Sequence, residues 1–180
     1  MFTQSIVAAL VALPFVAQSA LAADCTRNYT IQAGDVCDSI SAAQNVSTYQ
    51  ISVVNDGIIN SNCTDLTPDQ SICLGYSGED CTTTHVVAAN ETCDDITTAA
   101  GINSTMLFLN NPQIDTACDN IYIGEVLCTA STVAVPAAPS GSVPATSIPA
   151  TATAATASAS AAVADDDDED DDDLPFCDEL

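Results

Sequence analysis

Two kinds of hydrophobic spacing alternate along residues 25–128. Tyr29-Thr30-Ile31-Gln32 and His85-Val86-Val87-Ala88 are short runs with β-branched or aromatic residues, and they predict strands. Ala33-Gly34-Asp35 follows the first as a turn, with Asp35 placed to cap a helix. Residues 36–44 hold Ile40 and Ala43 three apart, the spacing of one helical face. Asn45 ends that helix and Gly101 ends its counterpart. Asn and Gly are the residues that most readily take the left-handed position closing a helix. Ser47-Thr48-Tyr49-Gln50 reads as a capping box, with Ile51 and Val54 facing inward behind it. Residues 66–73 and 121–128 predict closing strands. Each half is thus strand, helix, helix, strand, an α+β arrangement.

The cysteines divide this pattern into tandem units. They stand at 25, 37, 63 and 73, then at 81, 93, 118 and 128, with Cys177 apart near the end. The spacings are 12, 26 and 10 in the first set and 12, 25 and 10 in the second. A period of roughly 55 residues is the mark of a duplication. Asp38 answers to Asp94, Ile40 to Ile96, Asn55 to Asn111, Ile58 to Ile114 and Ile72 to Leu127. A unit of about 48 residues is too small to bury a convincing core and needs staples. Two disulfides per unit supply them, at ~2–4 kcal/mol each. Four cysteines allow three pairings, and sequence alone does not choose. If the two strands of a unit pair antiparallel, Cys25 meets Cys73 and Cys37 meets Cys63. The same logic gives Cys81–Cys128 and Cys93–Cys118. Cys177 is left over by count and free to link two chains.

Tyr29-Thr30-Ile31-x-x-Gly34-Asp35-x-Cys37-x-x-Ile40, then Asn55, Leu66 and Ile72-Cys73, resemble a lysin motif (LysM) of the secreted fungal type. Asn111-Pro112-Gln113-Ile114 and Ile121-x-x-Gly124-x-x-Leu127-Cys128 carry the same resemblance in the second unit. It implies two tandem disulfide-stapled βααβ units, at residues 25–74 and 81–129. It further implies binding of chitin, the β-1,4-linked polymer of N-acetylglucosamine, in a groove between the turn after the first strand and the loop after the second helix. Carried over residue by residue, the first groove is Gly34, Asp35 and Val36 with Asn55, Asp56, Gly57 and Ile58. The second is Asn90, Glu91 and Thr92 with Asn111, Pro112, Gln113 and Ile114. The family's Gly-Asp-Thr becomes Gly34-Asp35-Val36 and Asn90-Glu91-Thr92, and its Asn-Pro becomes Asn55-Asp56 in the first unit. Asn90 still permits a left-handed turn. The role implied is that of an effector in virulence, sequestering chitin fragments or shielding the fungal wall. A disulfide-rich inhibitor or toxin acting on a host protein is the alternative reading.

Composition narrows the chemistry. One Lys or Arg against 25 Asp or Glu gives a net charge of −24 over 180 residues. Such a chain cannot replace the counterions of a nucleic acid, and an anionic membrane surface repels it. The sole cation is Arg27 and the sole imidazole is His85, which leaves little for acid–base catalysis near neutral pH. No nucleophile-elbow or zinc-protease motif occurs. The reading is non-enzymatic, with no cofactor and no metal. Residues 1–22 read as a signal peptide, with small residues Ala20-Leu21-Ala22 before the cut, so the expectation is a secreted protein of the extracellular space or cell wall. Sequons at Asn28, Asn45, Asn62, Asn90 and Asn103 are candidate glycosylation sites. Residues 130–164 are rich in Ala, Ser, Thr and Pro and predict a disordered, extended linker. Residues 165–180 form an acidic tail, self-repelling and solvated.

Overall fold

The computed structural model describes residues 24–138 and 148–156. The signal region, the acidic tail and Cys177 lie outside the described residues. The first unit runs β1 (Cys25–Thr30), α1 (Cys37–Gln44), α2 (Thr48–Val54) and β2 (Ser71–Tyr76). The second runs β3 (Thr84–Val86), α3 (Cys93–Ala100), α4 (Ser104–Asn110) and β4 (Val126–Cys128). In each unit the two strands pair antiparallel, β1 with β2 and β3 with β4. The disulfides are Cys25–Cys73 and Cys81–Cys128, which join the region of one strand to the other, and Cys37–Cys63 and Cys93–Cys118, which join the start of the first helix of each unit to the loop after its second helix. All four bonds close within a unit.

Several boundaries differ from the sequence expectation. The first closing strand starts at Ser71 rather than at residue 66, and it runs on to Tyr76. Pro68 has no N–H for a ladder, and Asp69 sits at φ 68°, a left-handed turn. In the second unit Gly124 turns the chain at φ 91°, so β4 keeps only Val126–Cys128. Helix α1 is entered at Val36 rather than Asp35, and the Ser39 hydroxyl accepts the Val36 N–H at 3.1 Å. Asn45 and Gly101 close α1 and α3 at φ 50° and 66°, as their residue types predict. The capping box at α2 is only half made. The Ser47 side chain accepts from Gln50 N–H at 3.1 Å, but the Gln50 amide turns inward instead of back to the cap. It donates to the Leu74 carbonyl at 2.6 Å and to Asp80 at 2.9 Å, while its oxygen accepts the Cys81 N–H at 2.9 Å. Gln50 thereby ties α2 to the junction between the units.

Each unit has its own core: Ile31, Ile40, Val46, Ile51, Ile59, Ile72 and Leu74 in the first, and Val87, Ile96, Leu107, Ile114, Ile121 and Leu127 in the second. The residue equivalent to Ile114 is Ile59 and not Ile58. The longer gap between Cys37 and Cys63 adds one residue to this loop, which pushes Ile58 out to 51% exposure. A third cluster of Tyr49, Cys81, Cys128 and Val135 lies at the seam between the units. Polar contacts follow it. Val126 N–H donates to the Thr48 hydroxyl at 3.1 Å, and that hydroxyl donates to Asp38 at 2.8 Å. The Tyr122 hydroxyl also donates to Asp38, at 3.1 Å. Arg27 pairs with Asp80 and donates to the Gln44 carbonyl at 2.8 Å.

The described parts of the linker, irregular with a turn at residues 149–152, rest on the folded units. Asn110 donates to the Ala130 and Thr132 carbonyls and accepts the Ala134 N–H. The Tyr49 hydroxyl donates to the Pro136 carbonyl. Ala155 is 2% exposed and belongs to the core cluster of the second unit. Composition misses this because the docking uses backbone groups and small methyls, which any Ala-rich segment carries.

Candidate functional site

The turn after the first strand is built alike in both units. Gly34 and Asn90 adopt φ 92° and 63°, the left-handed bend expected at these positions. The acid that follows locks the bend from within. Asp35 accepts the Gln32 N–H at 2.7 Å and the Tyr29 hydroxyl at 2.8 Å. Glu91 accepts the Ala88 N–H at 2.8 Å, and His85 Nε2 lies 2.8 Å from its carboxylate. The hydrogen bond to Asp35 raises the pKa of the Tyr29 phenol. Asp35 and Glu91, both expected to face a ligand, thus act on the turn itself. The sequence shows the signal: a Tyr or His six residues before an acid, in both units. Beyond the turn, Val36 is 54% exposed, and Thr92 is exposed too.

The second wall contains both inward and outward residues. Asn55 and Asn111 are fully buried and perform one task twice. Asn55 donates to the Ile51 and Cys73 carbonyls and accepts the Cys73 N–H, at 2.7–2.8 Å. Asn111 does the same with Leu107 and Cys128, at 2.8 Å throughout. These side chains clamp a helix end to a closing strand. Asp56, Gly57, Ile58 and Pro112 are exposed, whereas Gln113 and Ile114 are buried.

A cleft of about 790 Å³ opens beside the first unit's groove. Asp35 and Val36 form one side, and Ser61, Asn62 and Leu66 form another. Gln113, Tyr122 and Glu125 of the second unit close it, with residues 148–151 across the end. The sequence reading missed the Ser61–Leu66 side and the contribution of the second unit, which depends on how the units dock. Glu125 is 3% exposed; burial pushes its carboxyl up to about 7. Gln113 donates to Glu125 at 3.0 Å, yet the Gln113 Oε1 has no partner among the described residues. Burial also raises Asp38 and Tyr122. The lining offers amide, hydroxyl and carboxyl groups beside Val36 and Leu66, a surface suited to a ligand with hydroxyl and apolar parts. His85 is held by Glu91. Among the described residues no group of three or more His, Cys, Asp and Glu is arranged to hold a metal ion. All five sequon asparagines are exposed.

These features define a tandem pair of small, disulfide-stapled βααβ units with paired loop sites. The LysM domain matches the chain twice, over residues 29–75 and 85–129. The chain belongs to the LysM domain family. Its relatives include the non-secreted LysM effector LysM19 of Penicillium expansum, 36% identical over 107 residues that cover 57% of this chain and 8% of that protein. The secreted LysM effector Vd5LysM of Verticillium dahliae is 34% identical over 66% of this chain and 16% of its own length. The secreted LysM effector LysM1 of Trichophyton rubrum is 26% identical over 64% of this chain and 54% of its own. The chain thus spans 8%, 16% and 54% of these relatives.

Proposed function

We propose that the chain binds chitin and shorter N-acetylglucosamine oligomers without cleaving them, and acts outside the cell as an effector that sequesters chitin fragments or shields the wall. The observation that carries this reading is the first unit's turn. Its acid is consumed internally, so the surface it leaves outward is backbone around Gly34 with exposed Val36. Such a surface recognises a neutral amide-bearing sugar by hydrogen bonds and apolar contact, with no need of charge. Gly34, Val36, Asp56, Gly57 and Ile58 are the first unit's proposed contacts, joined by the cleft residues Ser61 and Gln113. In the second unit they are the backbone at Asn90, with Thr92 and Pro112. A signal peptide over residues 1–22 and glycans at the exposed sequons belong to the same proposal. Calorimetric titration with oligomers of graded length tests it, alongside an assay for released sugar. Saturable binding with no new reducing ends is expected. Absence of binding by any oligomer, or sugar release, overturns it.

A further inference from the structure

In the second unit the chain itself bridges the first groove loop, at Asn90, and the later part of the stretch between α4 and β4, at Ile121 and Ile123. Residues 153–155 lie between these two stretches. Asn90 N–H, in the first loop, donates to the Ala155 carbonyl at 2.7 Å. Ala155 N–H donates to the Ile121 carbonyl at 3.0 Å, and Ile123 N–H donates to the Thr153 carbonyl at 2.9 Å. The Ala155 methyl is buried in the cluster that contains Val87, Ile114 and Ile121. One residue thus presents an amide N–H, a carbonyl and a methyl to the groove. Those are the groups of an N-acetyl substituent.

The first unit has no such occupant among the described residues. Leu66, the counterpart of Ile121, is only half-buried, against 1% exposure for Ile121. Pro68 stands where the second unit has Ile123, five residues before the last cysteine in both. Proline has no N–H, so the first unit lacks one of the donors this segment requires. The two grooves therefore differ in the bond that selects a peptide.

We propose that the second groove is a peptide-binding surface whose resident occupant is the chain's own residues 153–155, so that only the first groove is open to sugar until the segment lifts. The proposal rests on the sugar reading of the grooves and specifies how one of them is regulated. A tether gives such a segment an effective concentration on the order of mM. A free oligomer displaces it only when its concentration relative to its own Kd exceeds the segment's effective concentration relative to the segment's Kd.

The test uses the full chain and two variants. Ala155→Lys places a charged stem where a methyl is buried. Ala155→Pro keeps a small apolar side chain and removes the N–H given to Ile121. Amide exchange at Asn90 reads docking, and titration with the N-acetylglucosamine hexamer reads sites. The expected result is slow exchange at Asn90 and one hexamer per chain for the parent. Both variants should show exchange faster by roughly tenfold or more, and a doubled stoichiometry. Two hexamers bound by the parent overturns the proposal. So does a single hexamer bound by variants whose Asn90 amide has been released. If no form binds sugar, the sugar reading falls instead. In that case the surface stands only if a synthetic peptide of residues 148–156 restores slow exchange at Asn90 in the Ala155→Lys chain.

Discussion

At the scale of single residues, Asn111 holds two carbonyls and an N–H in a fully buried site. Alanine there strands all three groups, so Asn111→Ala should cost about 1–3 kcal/mol or more in chemical denaturation. Asn55→Ala should behave alike, since the first unit repeats the arrangement. A sugar contact alone would leave stability unchanged, which makes the measurement decisive between the two roles. The pairing of Asn55 with Asn111 was legible in the repeat; their inward direction was not, because position in a sequence does not say which way a loop side chain turns. Glu125 gives a pH dependence. Its folded pKa is about 7, above the ordinary 4.5, owing to burial, with Asp38 nearby adding to the rise. The unfolded chain therefore ionises first. Stability is fully present below about pH 4.5 and falls as pH rises toward 7, by up to about 3 kcal/mol. Melting temperatures across that window should decline for the parent, and Glu125→Gln should flatten the part of the slope due to this group. An unchanged slope in the variant would remove Glu125 from the account.

At the scale of elements, the helices were the most legible parts. The closing residues Asn45 and Gly101 place the C-terminal ends of α1 and α3 correctly, while α1 is entered one residue after its expected cap. Strands were less so, because each is short and its limits are set by Pro68, Asp69 and Gly124 in the turns that precede β2 and β4. Strand β2 also depends on a glycine that no turn explains. At Gly75 a Cβ would overlap the Asp80 carboxyl, and the Gly75 carbonyl accepts the Thr26 hydroxyl at 2.9 Å. Gly75→Ala should displace Asp80 from Arg27 and Gln50 and destabilise the chain by about 1–3 kcal/mol. The shift in the denaturation midpoint measures this. A neutral result would mean that the Asp80 side chain can move aside while keeping its partners.

At the scale of the whole molecule, the duplication could be read from cysteine spacing and the disulfide scheme followed once antiparallel strand pairing was assumed, whereas the docking of the units could not be read. The seam rests on Thr48, Asp38, Tyr122 and Gln50, ordinary polar residues whose partners across the junction lie 30 to 84 positions away. The same seam fixes the chain's one basic side chain. Arg27 lies in β1, bonded to Asp80 and to the Gln44 carbonyl; burial pushes the Asp80 carboxyl up, but hydrogen bonds from Arg27, Gln50 and Thr26 and the Arg27 charge hold it below its usual pKa. A protease that cuts after Lys or Arg has this single target in the sequence. To reach it, the enzyme must draw an extended strand out of its sheet and break the Asp80 pair. The native protein should therefore survive prolonged trypsin treatment, and it should be cut at Arg27 promptly once reduced and denatured. Resistance of this kind to a Lys/Arg-specific protease comes from offering a single cleavage point and keeping it folded into a sheet.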